Sequence, residues 1–197
     1  MITLALNVAA TGVNRGLSMD DPQHPRPVAL GIVQWDANGT FAEYRSYIRQ
    51  EESSVSATAE KSHGITSRIA NSRGLPERIA LAWLTNALSL SSRVVAWDLD
   101  FDLNVIRSAL LRHGGNPAEH IRPLLTLTSL VDHCSIIIGK QDENGAYVPP
   151  TMQEALTAIA PESGIDPADP HARADACRVL YETLCTKGLI EGMEQAA

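Results

Sequence analysis

Three separated groups of residues in this chain have types and spacings that could hold a ligand together. Asn7 and Ala9 stand two apart on an opening run in which Ile2, Leu4, Leu6 and Val8 alternate with Thr3, Ala5, Asn7 and Ala9, the period of a strand with two distinct faces. On one such face, positions 7 and 9 are about two strand rises, or roughly 6 to 7 Å, apart. That spacing suits two ligands around paired metal ions, yet Asn7 is neutral and Ala9 offers no ligand atom. Asp102 follows a short apolar run at residues 94–97, in the first turn of a helical pattern. His171 precedes Asp175 by four residues. If a helix begins at Asp169-Pro170, that interval places both side chains on one face. If His171 instead lies in the preceding loop, its freedom keeps a shared site within reach. Carboxylates are the hard oxygen ligands that Mg²⁺ and Mn²⁺ prefer, and an imidazole titrating near neutrality suits a general base.

The elements that must position these groups follow from periodicity and turn chemistry. After Thr11-Gly12 and a loop containing Pro22, Pro25 and Pro27, strand character returns at residues 28–35. Asp36-Ala37-Asn38-Gly39 turns the chain into a third strand at 41–48, giving an antiparallel meander. Residues 56–62 form a short helix stopped at His63-Gly64. Residues 76–88 carry Ile79, Ala80, Trp83, Leu84, Ala87 and Leu88 at helical spacing, a core-facing helix that places Trp83 inside. The continuous apolar run 94–97 predicts a strand covered on both faces. A helix then extends to about Arg112, and Asp98 and Asp100 read as solvated loop acids, with Asp98 also able to act as a substitute ligand in a rearranged site. Residues 124–130 mix leucine and threonine, so they fit a fifth strand or a helix start. Thr151-Met152-Gln153-Glu154 matches a capping box, and the last helix runs from Asp169-Pro170 to Gly188. Strands first, then strand and helix alternating, predict an α/β domain with a mixed sheet over residues 1–188 and a tail at 189–197.

The chain has 197 residues, enough for one domain with a sizeable core. A formal net charge of −7 and a pI near 5.3 exclude coating of nucleic acid by bulk positive charge. Three cysteines without CxxC spacing suggest neither a disulfide framework nor a cysteine-rich zinc site. No basic leader precedes the first apolar run, and no stretch approaches the ~18 to 20 apolar residues of a membrane span. A cytoplasmic protein without membrane contact is the expectation.

Taken in order, these segments resemble the DEDD-type 3′-5′ exonucleases with a catalytic histidine, the group that includes the proofreading epsilon subunit of DNA polymerase III. The first motif of that family, apolar-Asp-x-Glu-Thr-Thr-Gly, lies over Leu6 to Gly12, with Asn7 and Ala9 in place of both acids. Its His-Gly-Ile-Thr loop is matched outright by His63, Gly64, Ile65 and Thr66. The second motif is matched by Val95 to Leu103, with Asp98 where asparagine is common and Asp102 as the retained acid. The third motif has one residue more between histidine and aspartate than separates His171 from Asp175.

The resemblance implies a ribonuclease H-like fold with a mixed five-stranded sheet, an antiparallel second strand and flanking helices. It implies phosphodiester hydrolysis at single-stranded DNA or RNA 3′ ends, releasing nucleoside monophosphates, beside a polymerase or other repair subunit. Asp102, Asp175 and Asn7 fall at metal positions for two Mg²⁺ or Mn²⁺ ions, His171 at the general base, and Thr11, Gly12, His63, Gly64, Ile65 and Phe101 at substrate positions. Two ions roughly 3.5 to 4 Å apart carry a charge that four carboxylates would offset. Here Asp102 and Asp175 supply −2, so weak metal binding and impaired or absent cleavage are expected. Deliberate replacement of the first-motif acids and natural degeneration both remain open. Degeneration would leave a module that binds a nucleic-acid end or a partner. Arg68, Arg73 and Arg78 form a loose basic stretch suited to phosphate contacts, and Trp97 fits either core or a base-stacking surface.

Overall fold

The computed structural model describes residues 1–13, 16–50 and 52–190. A five-stranded sheet has the order β3-β2-β1-β4-β5, formed by β1 (Thr3–Ala10), β2 (Pro27–Asp36), β3 (Gly39–Tyr47), β4 (Arg93–Ala96) and β5 (Thr126–Ser129). Strand β2 is antiparallel to both its neighbours, whereas β1, β4 and β5 run parallel. This is the mixed sheet with an antiparallel second strand that the residue pattern predicts.

All eight residues of β1 are buried. Its alternation therefore encodes residue size rather than exposure, because helices cover the sheet on both faces. The larger Leu4, Leu6 and Val8 face α3 (Glu77–Leu90) and α4 (Leu99–Arg112), meeting Leu84, Leu88, Leu103 and Ile106. On the other face, Ala5 and Val95 pack with α6 (Leu130–Ile138), α7 (Met152–Ile159) and α8 (Arg173–Thr186) through Leu130, Met152, Leu156, Leu180 and Tyr181. A third cluster joins Ala9, Val28 and Ile65 beneath α1 (Ala57–His63) and α2 (Ser67–Arg73). The remaining helix, α5 (Pro117–His120), is a single turn.

Several elements differ from the sequence-based expectation. Trp83 is 55% exposed and stacks on Tyr44 with ring centroids 5.3 Å apart, and Ile79 is 47% exposed. The core stripe of α3 is carried by Ala80, Leu81, Leu84, Ala87 and Leu88, which leaves the i, i+4 pair Ile79/Trp83 on its flank. The basic stretch after Thr66 is helical over Ser67–Arg73, capped where the Ile69 N–H donates to Thr66 Oγ1. Asp98 is no free loop acid, since its side chain accepts from the Phe101 N–H and caps α4. Residues 124–130 supply both readings, with β5 passing directly into α6.

The last helix starts at Arg173 rather than at Asp169-Pro170. Asp169 instead closes a turn, accepting from the His171 N–H on its side chain and from the Ala172 N–H on its carbonyl. At the other end, Gly188 adopts φ 67° and the Leu189 N–H donates to Leu184 O, so the chain still packs on α8 past the expected boundary. Ile190 rests against the second cluster. Of the expected tail, residues 191–197 lie outside the described residues.

Candidate functional site

At the carboxyl end of β1, the sheet surface, α1 and the starts of α4 and α8 form a cleft that is open to solvent. Its lining includes Asn7, Ala9, Gly12, His63, Trp97, Asp98, Phe101, Asp102 and Arg173. Ligands in open α/β sheets gather at such strand ends. The local fold explains the arrangement. Gly31 pairs with Asn7 across β2 and β1, and a Cβ at Gly31 would stand 3.2 Å from Ala174 Cβ. The missing side chain eases the approach of the first turn of α8 to the sheet, and Arg173 in that turn lines the cleft with Asn7.

Asp102 is buried, and the Val8 backbone N–H donates to its carboxylate. Burial holds its pKa well above the usual carboxylate value, against the opposing pull of the Arg173 guanidinium, with the nearby Asp98 adding to the rise. Asn7 is 5% exposed, and its Nδ2 has no hydrogen-bond partner among the described residues. The same holds for Arg173 Nε. Arg26, Arg45, Arg112 and Arg178 each reach a carboxylate, but Arg173 makes no salt bridge among the described residues.

His63 ties the cleft wall together. Its Nε2 donates to Ala10 O at 3.0 Å while its Nδ1 accepts from the Ile65 N–H at 3.1 Å. Both bonds require the neutral ring protonated at Nε2. Burial accordingly lowers the His63 pKa, and the Arg173 charge lowers it further, partly opposed by the bond to Ala10 and by Glu60. Because the unfolded ring binds its proton more readily, this site favours the fold above the unfolded value of 6.5. That stability is lost as pH falls from there through the lowered folded value. Thermal unfolding between pH 7.5 and 5 should show this loss in the parent and a shallower one in His63→Gln; equal slopes would contradict the assignment.

The other expected site residues are dispersed around the cleft. Ala9 presents only a methyl group. Thr11 is committed to Arg26, since its N–H donates to Arg26 O at 2.8 Å and its Oγ1 accepts from the Arg26 N–H at 3.0 Å. Gly64 ends α1 at φ 72°, and Ile65 is buried in the third cluster. Asp175 is not among the lining residues, and its carboxylate accepts from Arg45 of β3 at 2.6 Å. His171 lies on the turn before α8 with its ring edge-on to Tyr47, centroids 4.5 Å apart, and is likewise absent from the lining. The structure therefore joins Asn7, Ala9, Asp102, Gly12, His63 and Phe101, and leaves His171 and Asp175 on the β3 side of α8.

Arg173 is the functional candidate that residue patterns missed. The available signal is its place in the first turn of α8, where a cation opposes the helix dipole. It also decides how well the cleft suits a pair of divalent ions. Asp102 and Asp98 are its carboxylates; one is buried and bonded to Val8, the other is spent as a helix cap. Two buried donors of the cleft, Asn7 Nδ2 and Arg173 Nε, have no hydrogen-bond partner among the described residues, and one belongs to a cation. Among the described residues, no group of three His, Cys, Asp or Glu side chains could hold a metal ion. This donor set does not fit two Mg²⁺ or Mn²⁺ ions.

No protein-family model and no curated protein matches the sequence. The fold itself is ribonuclease H-like, a mixed five-stranded sheet with flanking helices. Solved structures to which it is similar include those of exonuclease I. A product-bound exonuclease I superposes with a TM-score of 0.72 at 17% identity, covering 95% of this chain and 44% of that one. Escherichia coli exonuclease I in complex with a dA16 oligonucleotide gives 0.72 at 17%, covering 95% and 42%. The moderately thermophilic exonuclease I from Methylocaldum szegediense gives 0.73 at 18%, covering 94% and 40%. The likeness at this identity is one of fold, and the chain spans less than half the length of these relatives. No helix among the described residues is long and apolar enough to cross a membrane.

Proposed function

We propose that this chain is an exonuclease-fold domain that receives the 3′ end of single-stranded nucleic acid without cleaving it. The observation that carries this reading is the state of the acids. Ala9 and Asn7 supply none, Asp175 is engaged by Arg45, which also pairs with Glu43, and Asp102 faces the cleft beside a guanidinium. Two-metal hydrolysis needs several ionised carboxylates converging on one point, whereas binding needs only the cleft, its aromatic lining and a cation. The oligonucleotide complexes of E. coli exonuclease I, with dA16 and dT13, support single-stranded DNA as the class of ligand.

Natural degeneration also accounts better for the third motif, because replacing two first-strand acids would leave the His171/Asp175 interval and Arg173 untouched. The decisive measurement is release of mononucleotides from a 3′-labelled single strand with Mg²⁺ or Mn²⁺, beside binding of the same strand. We expect binding without release, both for the parent chain and for the Asn7→Asp/Ala9→Glu double variant, in which Arg173 and the Arg45–Asp175 pair persist. Divalent-dependent release by the parent would overturn the reading, as would failure of the parent to bind the strand.

A further inference from the structure

Resting on the reading of the cleft as a strand-end site, we infer that it holds a nucleotide phosphate directly, without metal, between the Arg173 guanidinium and the Asn7 amide. Three observations converge on this assignment. Asn7 lines the cleft, is 95% buried by its 5% exposure, and has an unbonded Nδ2. Arg173 lines it too, with an unbonded Nε and no salt bridge among the described residues. Two buried donors of the cleft thus lack partners, and buried donors are normally satisfied. A phosphate oxygen accepts from both, and a guanidinium is suited to grip it with two parallel N–H groups.

The rest of the cleft selects what carries that phosphate. Asp98 and Asp102 are engaged by the Phe101 and Val8 N–H groups but still bring negative charge or polarity to the wall. A bare anion gains little there. A nucleoside monophosphate adds stacking of its base on Phe101 or Trp97, both of which line the cleft. In this geometry Arg173 takes over the charge that paired ions supply in a two-metal nuclease, so the degenerate site has exchanged metal-mediated phosphate binding for direct binding.

Isothermal titration of the full chain with adenosine 5′-monophosphate, inorganic phosphate and adenosine, each in EDTA and then in excess Mg²⁺, tests this. The monophosphate should bind in EDTA, at least about tenfold more tightly than adenosine or phosphate, with no gain from Mg²⁺. Arg173→Ala should weaken it about tenfold or more and Arg173→Lys should restore part of the loss, since the charge returns without the fork. Thermal melts verify that the variants stay folded. Binding that requires Mg²⁺, equal affinity for adenosine and its monophosphate, or undiminished affinity in Arg173→Ala would each overturn the inference. Metal-free strand binding alongside any of these would leave the strand-end reading intact and sink only the phosphate assignment; strand cleavage would sink the strand-end reading.

Discussion

Gly74→Ala is expected to destabilise the fold by about 3 kcal/mol or more, although Gly74 has an ordinary φ of −79°. The reason is space. A Cβ there would stand 2.2 Å from Ala70 O, 2.5 Å from Arg49 N and 2.7 Å from Ile48 C, all backbone atoms. At this point the end of α2 crosses the chain leaving β3. Leu75 then donates to Tyr47 O and accepts from the Arg49 N–H, adding a one-residue parallel bridge beside Ile48. Relief would require α2 to lift off the third cluster or that bridge to open. Urea denaturation measures the effect, and a loss below about 1 kcal/mol would show that the crossing relaxes easily.

Asp102→Asn should invert the usual consequence of losing an acid from a nuclease-like cleft by making the protein more stable at neutral and alkaline pH. Burial raises the folded pKa of Asp102 well above 3.8, more than Arg173 lowers it. A group whose folded pKa is raised contributes its full stability below the unfolded value, and that contribution is lost as pH rises through the folded value. Asparagine keeps an oxygen for the Val8 N–H and has no proton to lose. The stability difference between variant and parent should therefore grow in favour of asparagine as pH increases from 4 to 8. A parent that gains on the variant over this range would mean that Arg173 outweighs burial and keeps the acid ionised.

Much of the architecture was legible because strong local signals agree with it. The meander, the doubly covered β4 and the Thr151–Glu154 capping box all follow from period and turn residues, and the structure contains each of them. What escaped had weaker local cause. Helix α2 is seven residues long and buries only Ala70, too little for an apolar stripe to appear. Helix α6 reads Leu-Val-Asp-His-Cys-Ser-Ile-Ile-Ile, whose β-branched residues favour a strand on propensity. Trp83 was misplaced by a helix rotation that spacing alone does not fix.

At the site, Asn7, Ala9 and Asp102 could be placed from their motifs, and all three reach the cleft. Arg173 could not, because its significance depends on Gly31. The bare backbone of Gly31 on β2 eases the close approach of α8 that carries that guanidinium to the cleft, and such an approach leaves no periodic mark in the chain. The pairing of Asp175 with Arg45, 130 residues away, is equally a product of the fold.

The three tryptophans also occupy three separate layers of the molecule. Trp35 is 2% exposed and meets Tyr181 edge-on, Trp83 stacks on Tyr44 at the surface, and Trp97 is half-buried on the cleft wall. The protein thus carries its own optical reporters. With Trp35 and Trp83 replaced by phenylalanine, the remaining indole emission comes from the cleft alone. Occupancy of the site then becomes visible as a change in fluorescence, with no label attached to either chain or ligand.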